Sequence, residues 1–455
     1  MISMNLPNFF LADLGADAAL TPGTITEACA TLRRNREHYL QGRSTGGLIR
    51  LLCEVAENWL QPDYPLRQRA LEEGPATLGF SAPTLARGLD ACFRQFTPEQ
   101  FHALLTQELG HAGRLDGFSA TSDEDRQRRA SLARGPELLA HIAAGNLPVP
   151  ALMSLALGLL VRSAQFLKCA SGTALLPRLF AHSIYEADAK LGACLEIAEW
   201  AGGHELLEEA LFAEADCVTA TGSDETLAAI ERRLPRRARF LGYGHRVSFA
   251  YVTAEVLRGA GAQRVAARAA ADVAAWNQLG CLSPHVLYVE QGGTPPEQFS
   301  ELLAQALDAL EAVEPRGPLS PAEAAVIASR RSFYEVRAAH SPETLHWASQ
   351  GSTAWTVIFE ADPQFQASCL NRFLYVKLAP SLTQVLRSAE LVRGKVSTVG
   401  LAAPPERARE LAMELARWGV PRICPLGEMQ SPPLAWRHDG RPALGDLVTW
   451  TDFET

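Results

Sequence analysis

Of the nine cysteines in the 455 residues, Cys281 stands in a setting that could make it a nucleophile. It lies in Asn277-Gln278-Leu279-Gly280-Cys281-Leu282-Ser283-Pro284, where the small Gly280 leaves the sulfur approachable and opens a backbone N–H beside it. A cysteine thiol is only a few per cent ionised near about pH 7 but is intrinsically nucleophilic, so a modest fall in pKa suffices for attack on a carbonyl. The plainer reading is a small buried hydrophobe, because free cysteines are among the most buried residue types and are usually inert. Cys29, Cys53, Cys92, Cys194 and Cys217 occur in apolar or helical contexts and read as core packing. No Cys-x-x-Cys spacing exists, so neither a disulfide framework nor a zinc ribbon is expected.

Two histidines have the intrinsic pKa needed to move protons near such a cysteine: His245, and His438 in a Trp-x-His-Asp-Gly-Arg stretch. Either could equally be a structural hydrogen-bonding residue. Gly242-Tyr243-Gly244 begins like a dinucleotide fingerprint but lacks the third glycine and the helix that should follow at once, so by itself it reads as a turn. There is no His-Glu-x-x-His, no His or Cys cluster at metal-ligand spacing, no Gly-x-Ser-x-Gly and no Walker motif. No metal is expected, and serine hydrolase and P-loop readings drop out.

The elements that must position these groups are legible in outline. Residues up to about 130 read as mainly helical, ending in the charged connector Thr121 to Arg129. From Pro136 short apolar runs alternate with helical stretches: Leu138 to Ala144, Gln165 to Lys168, Cys217 to Ala220 and Arg239 to Gly242 as strands, with helices between. The stretch from about Leu175 to Trp200 reads as helical throughout. This alternation predicts a doubly wound α/β domain, whose ligands bind beyond the carboxyl ends of its strands. Lys168, Thr221-Gly222-Ser223 and Gly242-Tyr243-Gly244 lie at such ends. A long helix from about Ala254 to Gln278 leads to Cys281, followed by strands at 286–289, 356–359 and 373–376 in a second α/β segment that begins near Ser248.

Composition narrows the function classes. A net charge of −9 argues against a nucleic-acid surface or a polybasic membrane contact, and favours a small molecule or a carrier as partner. The most apolar run, Leu147 to Val161, contains two prolines and is shorter than the roughly 20 residues a membrane span requires. With no basic opening before Phe10 and an expectation of reduced thiols, a cytoplasmic location follows.

The ordered set Asn146, Lys168, Thr221-Gly222-Ser223 and Asn277-Gln278-x-Gly280-Cys281 resembles the aldehyde dehydrogenase superfamily in identity and spacing. The resemblance narrows at Arg422-Ile423-Cys424-Pro425-Leu426-Gly427-x-Met429-Gln430-x-Pro432-Pro433 and Trp436-x-His438-Asp439-Gly440-Arg441, which look like the long-chain acyl-CoA reductase family of bacterial bioluminescence. Leu78-Gly79-Phe80-Ser81 and Glu108-Leu109-Gly110 fit the same branch less specifically. The resemblance implies an aldehyde dehydrogenase-like fold: a helical N-terminal region and Rossmann-type cofactor domain over residues 1–247, an α/β catalytic domain over 248–424, and a segment over 425–455 returning toward the active site. It implies Cys281 as nucleophile, Asn146 and the Cys281 N–H as oxyanion donors, and Lys168 on the cofactor ribose. Gly242, Gly244 and Thr221 to Ser223 fall on the cofactor side. Homo-oligomers are usual in the superfamily.

Two departures refine this expectation. Hydrolytic members carry a glutamate base in Glu-Leu-Gly-Gly, where this chain has Gly242-Tyr243-Gly244-His245, so water attack on a cysteine thioester should be slow. After Lys168 comes Cys169-Ala170-Ser171 without an acid, which admits a 2′-phosphate that Ser171 could hydrogen-bond, favouring NADPH. The leading expectation is an NADPH-dependent reductase of fatty acyl thioesters, fed by acyl-CoA, a carrier protein or a partner acyltransferase. A coenzyme A-acylating aldehyde dehydrogenase running oxidatively and a non-redox acyl-carrying transferase or scaffold subunit stay open.

Overall fold

Short polar caps and first-turn prolines define the N-terminal helices. Thr21, Ser44, Ser81 and Thr97 each accept an amide of the first turn, starting helices Pro22–Asn35, Thr45–Leu60, Ala82–Phe93 and Pro98–Leu109. Helix Pro65–Leu78 lies between them and closes on Gly79 at φ 75°. The computed structural model describes residues 6–14 and 19–454. Trp59, Leu89, Phe93 and Phe101 of this layer pack with Leu155, Leu176 and Phe180 in one core over the first sheet.

That sheet follows a short strand, β1 (Arg129–Arg134). It comprises β2 (Leu138–Ile142), β3 (Ala164–Cys169), β4 (Leu195–Glu199), β5 (Cys217–Thr221) and β6 (Arg239–Tyr243), all parallel in the order β4-β3-β2-β5-β6. The second sheet contains β7 (Val247–Val252), β8 (Pro284–Glu290), β9 (Thr344–Ala348), β10 (Thr356–Glu360), β11 (Phe373–Ala379), β12 (Val396–Ala402) and β13 (Ile423–Pro425). Its order is β13-β12-β7-β8-β11-β10-β9, parallel except for β9. Three residues, 244–246, join the two sheets. The last strand, β14 (Thr449–Glu454), returns to pair antiparallel with β1. No helix among the described residues is long and apolar enough to cross a membrane.

Two sequence expectations are corrected. The stretch from Leu175 to Trp200 is not one helix: helix Leu175–Ala187 ends at Asp188, which caps the short turn Ala189–Gly192, and β4 follows. Leu195, Ile197 and Ala198 are all buried, and an apolar run covered on both faces cannot be separated from a buried helix by periodicity. The long helix before Cys281 is also broken, into the turn Ala254–Leu257 and helix Gly261–Ala274. Gly259, at φ 55°, interrupts the run near its start, and past Ala274, where alanine would continue the helix, Trp276 overrides that preference. Its indole fills the space that a Cβ at Gly88 would occupy and meets Phe80 edge-on at 5.2 Å.

Candidate active site

The Cys281 loop is held by an unusual backbone. Trp276, Asn277 and Gln278 all have positive φ, 52°, 51° and 65°, a conformation that costs a non-glycine residue energy unless its surroundings enforce it. Leu370, Asn371 and Arg372, just before β11, form a second such run. The buried Arg372 guanidinium ties the two together, donating to Asn277 Oδ1 at 3.2 Å and pairing with Glu311 at 2.7 Å. Gln278 donates to the Pro284 carbonyl at 2.8 Å, closing the loop around Cys281.

Three distant segments converge on that loop. From the first sheet, Asn146 donates from Nδ2 to the Leu279 carbonyl at 3.0 Å, leaving its second amide hydrogen available. From β7, the Ser248 hydroxyl donates to the Cys281 carbonyl at 2.7 Å and accepts the Thr398 N–H at 3.1 Å. From the C-terminal motif, Gln430 donates to Ser283 Oγ at 3.1 Å. A Cβ on Gly280 would lie 3.1 Å from Leu147 Cδ1, so glycine lets the first-sheet loop close over the nucleophile.

Burial, and after it the negative charge of Asp439, push the half-buried Cys281 thiol up to about 11. The Ser397 hydroxyl, the Cys281 N–H and the Arg246 charge work in the opposite direction. Asp439 has positive φ (52°) and a side chain only 6% exposed; it pairs with Arg246 at 3.2 Å and accepts the Ser397 hydroxyl at 3.1 Å. Sequence reasoning passed over Arg246, Ser397 and Asp439. Asp439 was inside the quoted C-terminal motif, and its pairing with Arg246 was the missing signal.

The two candidate histidines separate clearly. The His438 ring stacks on Tyr243 at 4.6 Å and against Trp436 at 4.7 Å, with Nε2 4.0 Å from Asp439 Oδ1. Burial holds its pKa below the ordinary value, with Asp439 opposing that shift. His245 is exposed, and its backbone N–H is anchored on Asp224 at 3.2 Å. His285 is buried and accepts the Ser368 N–H on Nδ1, with its pKa lowered to about 4 chiefly by burial.

The cofactor-side candidates lie along the carboxyl edge of the first sheet. Lys168 is 3% exposed, and its ammonium sits 5.8 Å over the Trp200 ring without an ion pair among the described residues; burial lowers its pKa. Such an orphaned cation suits a ligand oxygen. Ser171 is exposed in the turn after β3. Ser223 caps helix Asp224–Arg233 through the Thr226 amide, and the Gly222 N–H donates to Tyr243. Gly242 and Gly244 serve packing: the first lies against Phe240 and the second leaves no room for a Cβ beside Asp224. Two acids outside β3 do act on Lys168, Glu208 more strongly and Glu199 of the neighbouring strand less so. Glu199 ends β4 and accepts the Gly172 and Ala174 N–H groups at 2.7 and 3.1 Å, a contact that inspection along β3 alone could not reveal. Among the described residues no group of three or more His, Cys, Asp or Glu side chains could hold a metal ion.

A parallel and a mostly parallel sheet with a cysteine loop between them define an aldehyde dehydrogenase-like fold. A putative aldehyde dehydrogenase of Burkholderia cenocepacia superposes with a TM-score of 0.69 at 17% identity, over 97% of this chain and 93% of that one. A bifunctional proline utilization A protein gives 0.72 at 18% identity over 97% of this chain, which spans only 45% of that longer protein. Within this fold the chain belongs to the acyl-CoA reductase (LuxC) family, whose pattern residues 41–450 match. The long-chain acyl-protein thioester reductase of Aliivibrio fischeri is 22% identical over 418 residues, covering 90% of this chain and 82% of the relative.

Proposed function

We propose that the chain reduces a long-chain acyl thioester, carried on coenzyme A or on a protein, to an aldehyde, with Cys281 as nucleophile and NADPH as reductant. One observation carries this reading. Asp439, the carboxylate whose charge acts on the thiol, is engaged by Arg246 and Ser397 and is therefore a poor activator of water. That leaves hydrolysis of an acyl group on Cys281 without a free carboxylate base, which favours its reduction. The relatives' description as acyl-protein thioester reductases supports the substrate class and a carrier or acyltransferase partner.

The buried thiol is protonated at rest, so attack begins with proton loss. His438, kept neutral by burial, takes the proton, and the neighbouring Asp439 steadies the resulting imidazolium. The Cys281 thiolate attacks the acyl carbonyl while its own N–H and the second amide hydrogen of Asn146 hold the oxyanion. The bond to the leaving thiol breaks, and that thiol takes the proton from His438. The chemistry NADPH would supply when bound is a hydride for the S-acyl carbon. The thiohemiacetal on Cys281 then collapses with cleavage of its C–S bond, freeing the aldehyde, and solvent reprotonates the thiolate through His438. Lys168 and Thr221-Gly222-Ser223 would hold the dinucleotide, with Ser171 toward the 2′-phosphate; the Glu199 oxygens are occupied by the turn's own N–H groups.

The test is purified protein with a panel of acyl-CoA esters and either NADPH or NADH, followed by aldehyde detection and mass spectrometry of the Cys281 peptide. Aldehyde formation and an S-acyl adduct are expected, both absent in Cys281→Ala. An active alanine variant would displace Cys281 as nucleophile, and a preference for NADH would overturn the cofactor assignment.

A further inference from the structure

The second sheet has a crevice of its own, facing away from Cys281. The strands β7 and β12 are neighbours, but the connections that leave them pass to opposite faces. Helix Gly261–Ala274, after β7, buries Ala262, Val265 and Ala266 in the core with Leu287 and Val289. Helix Pro405–Trp418, after β12, buries Leu411 and Leu415 with Phe249 and Tyr251 on the other face. Where connections diverge in this way, the carboxyl edge of a parallel sheet opens into a ligand crevice. Here a cavity of about 670 Å³ occupies that place, within the size range of small-molecule sites.

Its lining is amphiphilic. The floor is small and aliphatic, including Val265, Leu401 and Ile423 beside the Cys424 thiol. Around it stand Arg258, Arg264, Arg268 and Arg409, none of which makes an ion pair or side-chain hydrogen bond among the described residues. The one carboxylate of the lining, Glu255, is paired with Arg407 at 2.9 Å. Helix Gly261–Ala274 adds a 14-residue dipole whose N-terminus has neither a side-chain cap nor an acid in its first turn. Four exposed arginines without an ion pair among the described residues line this one recess, in a chain of net charge −9. Guanidinium forks match phosphate oxygens.

We infer that this crevice binds a small organic phosphate, the phosphate at the arginines and the apolar body on the aliphatic floor. The recess suits a small molecule better than a protein surface, which would reach only its rim. The six residues of β7 separate it from the Cys281 edge by roughly 17–20 Å. Its ligand therefore occupies a second site and does not hand an acyl group to the thiol.

Cys424 is a local reporter, independent of the dinucleotide crevice. The full chain is labelled with N-ethylmaleimide at mildly alkaline pH in the presence of ADP, coenzyme A, inorganic pyrophosphate or palmitate, and the rate at the Cys424 peptide is read by mass spectrometry. At ten times its dissociation constant, a phosphate-bearing probe should slow labelling about tenfold. Greater protection by ADP or coenzyme A than by pyrophosphate assigns the apolar floor a share of the binding. In the Arg264→Gln/Arg268→Gln variant the protection should vanish while the far-ultraviolet circular dichroism is unchanged. Absence of protection by every phosphate probe, protection by palmitate alone, or protection undiminished in that variant would overturn the inference.

Discussion

At the carboxyl edge of the five-stranded sheet, the connections leaving the paired strands β2 and β5 pass to opposite faces, and the helix after β5, Asp224–Arg233, begins with a serine cap and two acids, Asp224 and Glu225. At the same edge of the seven-stranded sheet, helix Gly261–Ala274 begins with no cap and no acid, and Arg264 and Arg268 follow along its exposed side. Both openings arise from the same winding rule. Their side chains make them different: one offers a single buried ammonium, Lys168, beside the engaged Glu199 and faces the nucleophile's loop, and the other offers a ring of arginines remote from it. Winding creates the opening; charge selects what enters it.

Four variants test this division, from the largest effect to the smallest. Asn146→Ala should lower the rate of S-acylation about 10²- to 10³-fold, as expected for loss of an oxyanion donor, with dinucleotide binding intact; stopped-flow acylation measures it. Lys168→Met should weaken dinucleotide binding about 10- to 100-fold, the cost of removing a charged hydrogen-bond donor, and leave acylation by acyl-CoA nearly unchanged. Unaltered dinucleotide affinity there would mean that the first crevice does not use its one cation. Asp439→Asn addresses the thiol itself. With Cys281 near 11, alkylation by iodoacetamide should rise about tenfold per pH unit from neutrality until the thiolate predominates. Removing the neighbouring negative charge favours the thiolate, so the profile should move toward lower pH by about one unit. Finally, Arg264→Gln/Arg268→Gln should change aldehyde formation by less than about twofold, the range of a surface substitution, because the second crevice is separate from the chemistry. A large loss of turnover in that variant would join the two crevices into one site.

How far these features could be read beforehand follows from where their causes lie. Lys168 and Thr221 could be placed at strand ends because strand, turn and helix signals are local. The N-terminal helices likewise announce themselves in Thr21 and Ser81, each followed by a first-turn proline, and in the Ser44 cap. By contrast, β4 was hidden because both of its faces are buried. The left-handed run at Trp276 depends on Gly88, almost two hundred residues earlier, so the alanine-rich sequence around it reads as unbroken helix. Arg246 and Asp439 are unremarkable charges until the C-terminal segment brings them together, and the absence of an acid along β3 said nothing about Glu199 on the next strand.

The short connector between the sheets carries a consequence of its own. Gly244 is wedged against Asp224 on the first sheet's side, and two residues later the Arg246 guanidinium meets Asp439 and acts on Cys281. This connector between the two sheets thus contains one of the charges that sets the nucleophile's acidity. Any closure of the halves on a bound substrate would alter that charge's distance to the sulfur, and a mechanical movement would be felt at Cys281 as a change in how readily it gives up its proton.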